Sequence, residues 1–180
     1  MPTPERTWGT ARLLARPPAV DDAQVVFDAY ASDPAVAKYM TWTPHRTVEE
    51  TIEFLKRCER AWDEESAFPW SLWRKHDRAF VGFIEGRVHA NAADIGYAVA
   101  QRWWRQGLMS EAVTAFIEWA LAQPTIYRVW ATCDVENVAS ARLLEHVGMT
   151  QEGVLRRWIV HPNISAVPRD CLCYSIVKPD

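Results

Sequence analysis

The spacing of hydrophobic residues changes several times along the chain, and each change marks a new predicted element. After Thr47 the apolar residues Leu55, Cys58 and Trp62 recur every three or four positions, which is the spacing of a helix with one buried face. Thr47 and Glu50 stand three residues apart and match a capping box at the start of this helix. Beyond it the spacing falls to two, which is typical of half-buried strands.

Helical spacing returns twice more, and the two later helices alternate with strand-like runs. The helix between the fourth and fifth predicted strands carries the chain back along the sheet, so this central pair should be parallel, whereas hairpins give antiparallel pairs. The pattern predicts one α/β (α+β) domain over residues 1–180, with a mixed, mostly antiparallel seven-stranded sheet and about four helices. The predicted strands cover residues 10–16, 70–74, 80–88, 94–99, 127–133, 154–161 and 170–177. The predicted helices run from the N-cap Asp21 to about residue 33, from Thr47 to 62, over 108–122 and over 137–146, with one further turn at 35–40.

Composition narrows the class of protein. The chain has 180 residues, of which 49% are hydrophobic and 24% charged, close to the average for globular domains. A net charge of -3 argues against a general nucleic-acid binder, which usually has a basic face. The four cysteines lack C-x-x-C spacing, so we expect structural thiols in a reducing cytosol and no metal site. The first residues lack an apolar run, and helix 108–122 is too short to span a bilayer, so a cytoplasmic protein without a membrane partner is expected.

Two segments carry the candidate chemistry. The first, W-R-Q-G-L-M-S-E-A, spans residues 104–112 and joins the predicted strand 94–99 to the next helix through a glycine turn. Backbone amides at the start of a helix and the helix dipole favour an anion, most often phosphate. Neither a P-loop nor a dinucleotide motif is present, and Ser140 has no G-x-S-x-G setting. The second segment, N-V-A-S-A-R-L-L-E-H-V-G-M, spans residues 137–149.

Together, in this order, the two segments resemble the GNAT superfamily of N-acetyltransferases. The first is similar to its acetyl-CoA pyrophosphate loop, and the second to the N-x-x-S-x-x-L-L-x-x-x-G-[FM] helix of the RimJ/RimL type. The resemblance implies a GNAT fold in which the fourth and fifth predicted strands are parallel and splay apart, with acetyl-CoA as co-substrate lying between them. The residues that it places against acetyl-CoA are Ala98, Val99, Arg105, Gln106, Gly107, Leu108, Met109, Ser110, Asn137 and Ser140.

The loop departs from the general superfamily form [QR]-x-x-G-x-[GA]. With Gly107 as the fixed glycine, Trp104 and Met109 occupy the first and last positions, and Arg105 stands where a second glycine is frequent. Arg105 either places a cation beside phosphate or points to solvent.

The resemblance also implies catalytic roles. Asp94 is predicted as the general base, with Glu85 and His89 as rivals, and a solvent-facing aspartate is the alternative for Asp94. Ser140 is expected to hydrogen-bond the departing sulfur. Many GNAT enzymes have a tyrosine proton donor at the position of Leu144, and its absence leaves a non-catalytic CoA sensor as the alternative function.

The acceptor is expected to be a primary amine. By position in this fold, Trp42, His45, Glu85 and Trp158 should border its site, although Trp42 could equally serve packing alone. A protein α-amine, including that of a ribosomal protein, has a pKa of about 7.7 to 8.0, so a weak base suffices for it. A small-molecule amine fits equally well. No nucleic acid partner is expected, and a homodimer is compatible with the sequence.

Overall fold

One sheet of eight strands forms the centre of the molecule in a computed structural model that describes residues 1–179. The strand order is β1-β2-β3-β4-β5-β6-β8-β7, and every neighbouring pair is antiparallel except β5 and β6. The strands are β1 (Trp8–Gly9), β2 (Leu13–Arg16), β3 (Phe68–Arg74), β4 (Phe80–Val88), β5 (Ala92–Val99), β6 (Arg128–Asp134), β7 (Thr150–Ile159) and β8 (Arg169–Val177).

The predicted count of seven strands is one too low, because β1 lies before the first predicted strand, residues 10–16, of which only Leu13–Arg16 forms β2. Thr10 to Arg12 form a tight turn, in which the Thr10 amide donates to the Leu13 carbonyl at 2.9 Å and the Leu13 amide donates to Thr10 Oγ1 at 3.1 Å. β1 and β2 therefore make a small hairpin at the edge of the sheet. A two-residue strand has no hydrophobic period from which it could be predicted.

Five α-helices pack on the two faces of this sheet, one more than predicted. The predicted helix from Asp21 is broken into a 3₁₀ turn, α1 and a π-helical segment, and Asp22 rather than Asp21 accepts a bond from the Ala19 amide at its start. Thr47 is the N-cap of the long third helix, but Glu50 bonds to the amide of Arg46, so the predicted capping box does not close. The helices are α1 (Ala23–Val26), α2 (Pro34–Ala37), α3 (Val48–Asp63), α4 (Leu108–Ala122) and α5 (Val138–His146), with 3₁₀ turns at Val20–Asp22 and Gln101–Trp103 and the π segment at Phe27–Ala31.

Two hydrophobic clusters lie on opposite faces of the sheet. The larger one joins the sheet to α4 and α5, and it includes Trp70, whose ring lies 6.2 Å from that of Phe116. The smaller one joins β4 and β5 to α1 and α3 through Tyr30, Leu55 and Phe83. Because side chains alternate along a strand, each residue of β5 faces either one cluster or the other.

The single parallel pair, β5 and β6, separates part-way along its length. It pairs at Ala92 with Arg128, Ala93 with Val129 and Asp94 with Trp130, and its ladder then ends although both strands continue. The predicted parallel pair is confirmed. Beyond Asp94, one side of β5 no longer has a strand partner, so an opening lies inside the sheet.

Candidate functional site

The loop between β5 and α4 presents free backbone amides at the open end of the divided sheet. Gly107 is the N-cap of α4 and is left-handed at φ 70°, and Arg105 is also left-handed at φ 61°. The first amides of a helix have no partner within it. The side chains of Leu108 and Met109 are buried in the core, so these residues offer only their backbone to a ligand. The geometry fits an anion at the helix start.

Indole and amide side chains hold this loop in place. Trp104 Nε1 donates to the Val99 carbonyl at 2.8 Å, and Gln106 Nε2 donates to the Arg102 carbonyl at 3.0 Å. Trp103 packs between the two clusters. The loop is therefore preorganised by contacts within the protein.

Backbone groups of alternate residues on β5 face the opening. The Ala98 carbonyl faces β4, since a Cβ added to Gly82 would collide with it, and the Ala100 amide bonds to Val81 of β4 at 2.9 Å. Tyr97 and Val99 therefore turn their backbone groups the other way, toward the opening. The expectation that Ala98 offers its backbone there is corrected by this alternation. The Val99 carbonyl is already bonded to Trp104, which leaves the Val99 amide.

Asn137 and Ser140 lie across the opening, at the start of α5. Asn137 Oδ1 accepts a bond from the Ser140 amide at 3.2 Å and so caps the helix. The Ser140 hydroxyl lies 2.8 Å from the hydroxyl of Tyr97 on β5. Burial raises the pKa of Tyr97, which keeps its hydroxyl protonated. Leu144, at the position where the resemblance to the GNAT superfamily leads one to expect a tyrosine, is fully buried.

Sequence reasoning did not predict Tyr97 as a site residue. The alternation along β5 places Tyr97 on the face of Ile95, toward α4 and α5, and this much could be inferred from the sequence. Its partner on α5 could not, because no local pattern relates residues 97 and 140.

The three candidate bases lie in one row of charged side chains on β4, β5 and the turn between them. Asp94 Oδ1 lies 2.7 Å from His89 Nε2, and Asp94 Oδ2 lies 3.3 Å from Arg87 Nε. Arg87 Nη1 lies 2.9 Å from Glu85 Oε1. Both carboxylate oxygens of Asp94 are thus engaged, whereas Glu85 is contacted through one oxygen.

Glu85 borders open space on the face of the sheet toward α1 and α3. Its register partner on β5 is Gly96, and a Cβ added to Gly96 would have no atom within 4 Å. Although 39% of its side chain is exposed, partial burial raises the pKa of Glu85, and this outweighs the lowering by Arg87. A carboxylate with a raised pKa beside an empty volume can accept a proton from a bound molecule.

A groove of about 580 Å³ opens beside Trp42 and His45. Their rings lie 5.6 Å apart, and His45 Nδ1 lies 2.8 Å from Thr51 Oγ1. Burial lowers the pKa of His45, so its ring is neutral near pH 7. Trp158 is 49% exposed on an irregular part of β7, outside the set of groove residues. The groove is lined by Thr41, Trp42, Thr43, His45, Glu49, Glu50, Glu53, Arg57 and Pro162.

Two bonds tie the groove to the opening in the sheet. Asn163 Nδ2 donates to the Trp42 carbonyl at 2.8 Å, and Tyr39 Oη donates to the Glu136 carbonyl at 3.2 Å. The loop after α2 is thus held against the β7–β8 loop and the start of α5. Among residues 1–179, no group of His, Cys, Asp and Glu has the arrangement of a metal site. None of the helices in the described chain combines the length and apolar character needed to cross a membrane.

Comparisons with known proteins agree with this architecture. The family description "Acetyltransferase (GNAT) domain" matches residues 12–150. The uncharacterized N-acetyltransferase YoaA of Bacillus subtilis is 28% identical over 94% of this chain and 96% of its own length. The [ribosomal protein uS5]-alanine N-acetyltransferase of Escherichia coli is 29% identical over 64% of this chain and 60% of its own length.

Solved structures share the fold. A GNAT-family acetyltransferase from Bacillus anthracis superposes with a TM-score of 0.83 at 26% identity, covering 97% of this chain and 99% of that one. The microcin C7 self immunity acetyltransferase MccE, solved with acetyl-CoA and AMP, superposes with a TM-score of 0.84 at 22% identity, covering 93% of both chains. The predicted family and the predicted class of fold are confirmed.

Proposed function

We propose a function from the premise that the chain belongs to the GNAT acetyltransferase family: it transfers the acetyl group of acetyl-CoA to a primary amine. The related proteins are named N-acetyltransferases, so an acyltransferase enzyme is supported and the non-catalytic sensor is not. The observation that carries the proposal is that the β5–β6 ladder ends at Asp94, which leaves one side of residues 95–99 unpaired, and that a loop with free amides follows β5. The pantetheine arm of acetyl-CoA is extended and joins a diphosphate, so the arm would fit along the unpaired strand and the diphosphate at the loop amides.

The donor would bind along β5 and over the start of α4. The Val99 amide and the backbone of Tyr97 would bond the pantetheine arm in the way that a neighbouring strand bonds. The amides from Arg105 to Ser110 would hold the diphosphate. Asn137 and Ser140 stand where the arm would end.

Acetyl-CoA supplies an acetyl group activated as a thioester. For transfer, an amine must lose a proton while its nitrogen bonds to the carbonyl carbon, and the carbon–sulfur bond must break. We assign the proton to Glu85, because it has a free oxygen, a raised pKa and open space over Gly96. Asp94, the base predicted from the sequence, would instead hold Arg87 and His89 in place.

The departing sulfur would be stabilised by Ser140. If Tyr97 donates its hydrogen to Ser140 Oγ, the hydrogen of Ser140 is free to point into the opening. A thiolate with a pKa of about 8.5 leaves readily enough for one such hydrogen bond to suffice.

The acceptor would enter through the groove at Trp42. Three carboxylates and one guanidinium line this groove, so its electrostatic field attracts cations. His45 is neutral and therefore does not repel a bound cation. An amine with a further positive charge, on a peptide or a small molecule, fits this lining. The name of the Escherichia coli relative, which acts on a ribosomal protein, favours testing protein N-termini first.

The experiment is a binding measurement followed by an acceptor screen. Calorimetry should detect CoA and acetyl-CoA binding, and thiol release should then be followed with N-terminal peptides, polyamines and aminoglycosides in parallel. Basic acceptors should react faster than neutral amines of the same size. Absence of binding at millimolar acetyl-CoA would exclude the proposal.

A further inference from the structure

The edge hairpin of the sheet is bonded to the loop that precedes α4. Glu111, in the first turn of α4, accepts hydrogen bonds through Oε1 from the Thr10 hydroxyl and, at 2.8 Å, from the Arg12 amide. Arg12 Nε lies 2.6 Å from Glu111 Oε2, and Arg12 Nη1 donates to the Gln106 carbonyl at 3.0 Å. We call Thr10, Arg12 and Glu111 the hairpin clamp.

The clamp fixes the orientation of one peptide group in the loop. In a trans peptide the carbonyl of one residue and the amide of the next point in opposite directions. Because Arg12 holds the Gln106 carbonyl, the Gly107 amide must point away from the hairpin. Arg12 also lies close to Gly107 itself, since a Cβ added to Gly107 would lie 3.5 Å from Arg12 Nη2.

The clamp also neutralises the negative charge of Glu111, which would otherwise repel a bound diphosphate. Partial burial raises the pKa of Glu111, but the hydrogen bonds from Thr10 and Arg12 outweigh it, so the pKa lies below its ordinary value. Glu111 is therefore a carboxylate at neutral pH, in the turn where the diphosphate would bind. The guanidinium of Arg12 neutralises it.

The ion pair between Arg12 and Glu111 is expected to add little to the global stability of the fold. The Arg12 side chain is 51% exposed, and ion pairs at such exposure contribute little to folding. Its contacts instead converge on the loop and on the first turn of α4.

We propose that Arg12 is a positioning residue for the diphosphate of CoA, acting through the Gln106 carbonyl and the Glu111 carboxylate. The inference rests on the proposed function, because it takes CoA as the ligand. It adds a residue on the outermost hairpin to the determinants of donor affinity.

Calorimetry with CoA tests the role of Arg12. Arg12→Gln should weaken CoA binding by about tenfold, because it frees the carbonyl and leaves Glu111 unpaired beside the diphosphate. Glu111→Gln should weaken it by less than about threefold, since it also removes the repelling charge. The double variant should bind more tightly than Arg12→Gln alone. Pantetheine, which lacks the diphosphate, should bind Arg12→Gln and the wild type equally when titrated by ligand-observed NMR.

Arg128→Gln is the matched control. Arg128 makes an ion pair of the same kind with Glu152, at the end of β6 remote from the loop, and its loss should leave CoA affinity unchanged. Should Arg12→Gln fail to fold, Arg12→Lys keeps the charge but cannot reach both Gln106 and Glu111, and it should still bind CoA several-fold more weakly.

Two results would overturn the role of Arg12 alone: equal CoA affinity in the wild type and the Arg12 variant, or an equal loss of affinity for CoA and pantetheine. Failure of the wild type to bind CoA is a different result, since it would overturn the proposed function and the role of Arg12 with it.

Discussion

The hydroxyl oxygens of Tyr97 and Ser140 lie 2.8 Å apart, joining β5 to the start of α5 across the opening in the sheet. Tyr97 comes from the strand that would bond the pantetheine arm, and Ser140 from the helix that would face its sulfur. Through this contact the donor strand can orient a hydroxyl on the opposite wall.

Tyr97→Phe should therefore lower kcat by about tenfold, the effect of one lost hydrogen bond, with little change in CoA affinity. In a Ser140→Ala background the same change should have no further effect, because Tyr97 acts through Ser140. Steady-state kinetics with the best acceptor from the screen would measure both. Tyr127→Phe, at an exposed tyrosine, is the control. Independent, additive losses would show that Tyr97 does not work through Ser140.

Glu85→Gln should reduce kcat by about a hundredfold or more if Glu85 takes the amine proton. Asp94→Asn should have a smaller effect, because Asp94 is bound by Arg87 and His89. The dependence of kcat/KM on pH should lose its acidic limb in Glu85→Gln and keep it in Asp94→Asn. The reverse result would return the role of base to Asp94.

The raised pKa of Glu85 also predicts a dependence of stability on pH. A carboxyl whose pKa is higher in the folded state binds its proton more readily there, so it stabilises the fold below about pH 4 and loses this contribution as pH rises through the folded pKa. Glu85→Gln should therefore unfold at higher urea concentration than the wild type near pH 8, with the difference vanishing at low pH. Glu53→Gln is the control, since the pKa of the exposed Glu53 is lowered and the sign reverses. A Glu85→Gln variant that is less stable than the wild type at pH 8 would contradict a raised pKa of Glu85 in the folded state.

The left-handed backbone at Arg105 explains why glycine suits this position. A β-branched residue at φ 61° is strained by about 1–2 kcal/mol, whereas glycine is not. Arg105→Val should lower the free energy of unfolding by about that amount and weaken CoA binding, and Arg105→Gly should preserve the binding. A large, salt-dependent loss of CoA affinity in Arg105→Gly would instead show that the guanidinium itself contacts the diphosphate.

Restoring the tyrosine of other family members at position 144 should not improve the enzyme. Leu144 is fully buried, so Leu144→Tyr overpacks the core and should cost about 1–3 kcal/mol. Leu144→Met, which nearly conserves volume, is the control and should cost less. Thermal unfolding and kcat would be measured together, and a stable, faster Leu144→Tyr variant would show that the hydroxyl can reach the sulfur.

Long periodic segments were predictable from the sequence. α3, α4, β5 and β6 lie within a few residues of their predicted bounds, because each has enough turns or alternations to set a period. The loop around Gly107 was predictable as well, since its glycine and the helix after it are local features. The π segment at Phe27–Ala31 and the two-residue β1 left no such signal.

Contacts between distant side chains account for the rest. Tyr97 and Ser140 are 43 residues apart, and Arg12 and Glu111 are 99 apart. Each pair is set by tertiary packing, which no local spacing encodes. The face of the sheet on which Glu85 lies was predictable from the alternation along β4. The open space beside it was not, because that space depends on the missing side chain of Gly96 on the neighbouring strand.

The unpaired side of β5 between Ile95 and Val99 has a consequence for how fast the protein is degraded. β4 pairs with one side of β5 here, but backbone N–H and C=O groups on the other side have no strand partner, so fewer bonds hold this part of the sheet. If the donor binds there as proposed, it should stabilise the folded state by about 2.7 kcal/mol at a hundred times its dissociation constant. Proteases that attack transiently opened chains should therefore spare the loaded protein. Its abundance in a cell is expected to rise and fall with the supply of acetyl-CoA.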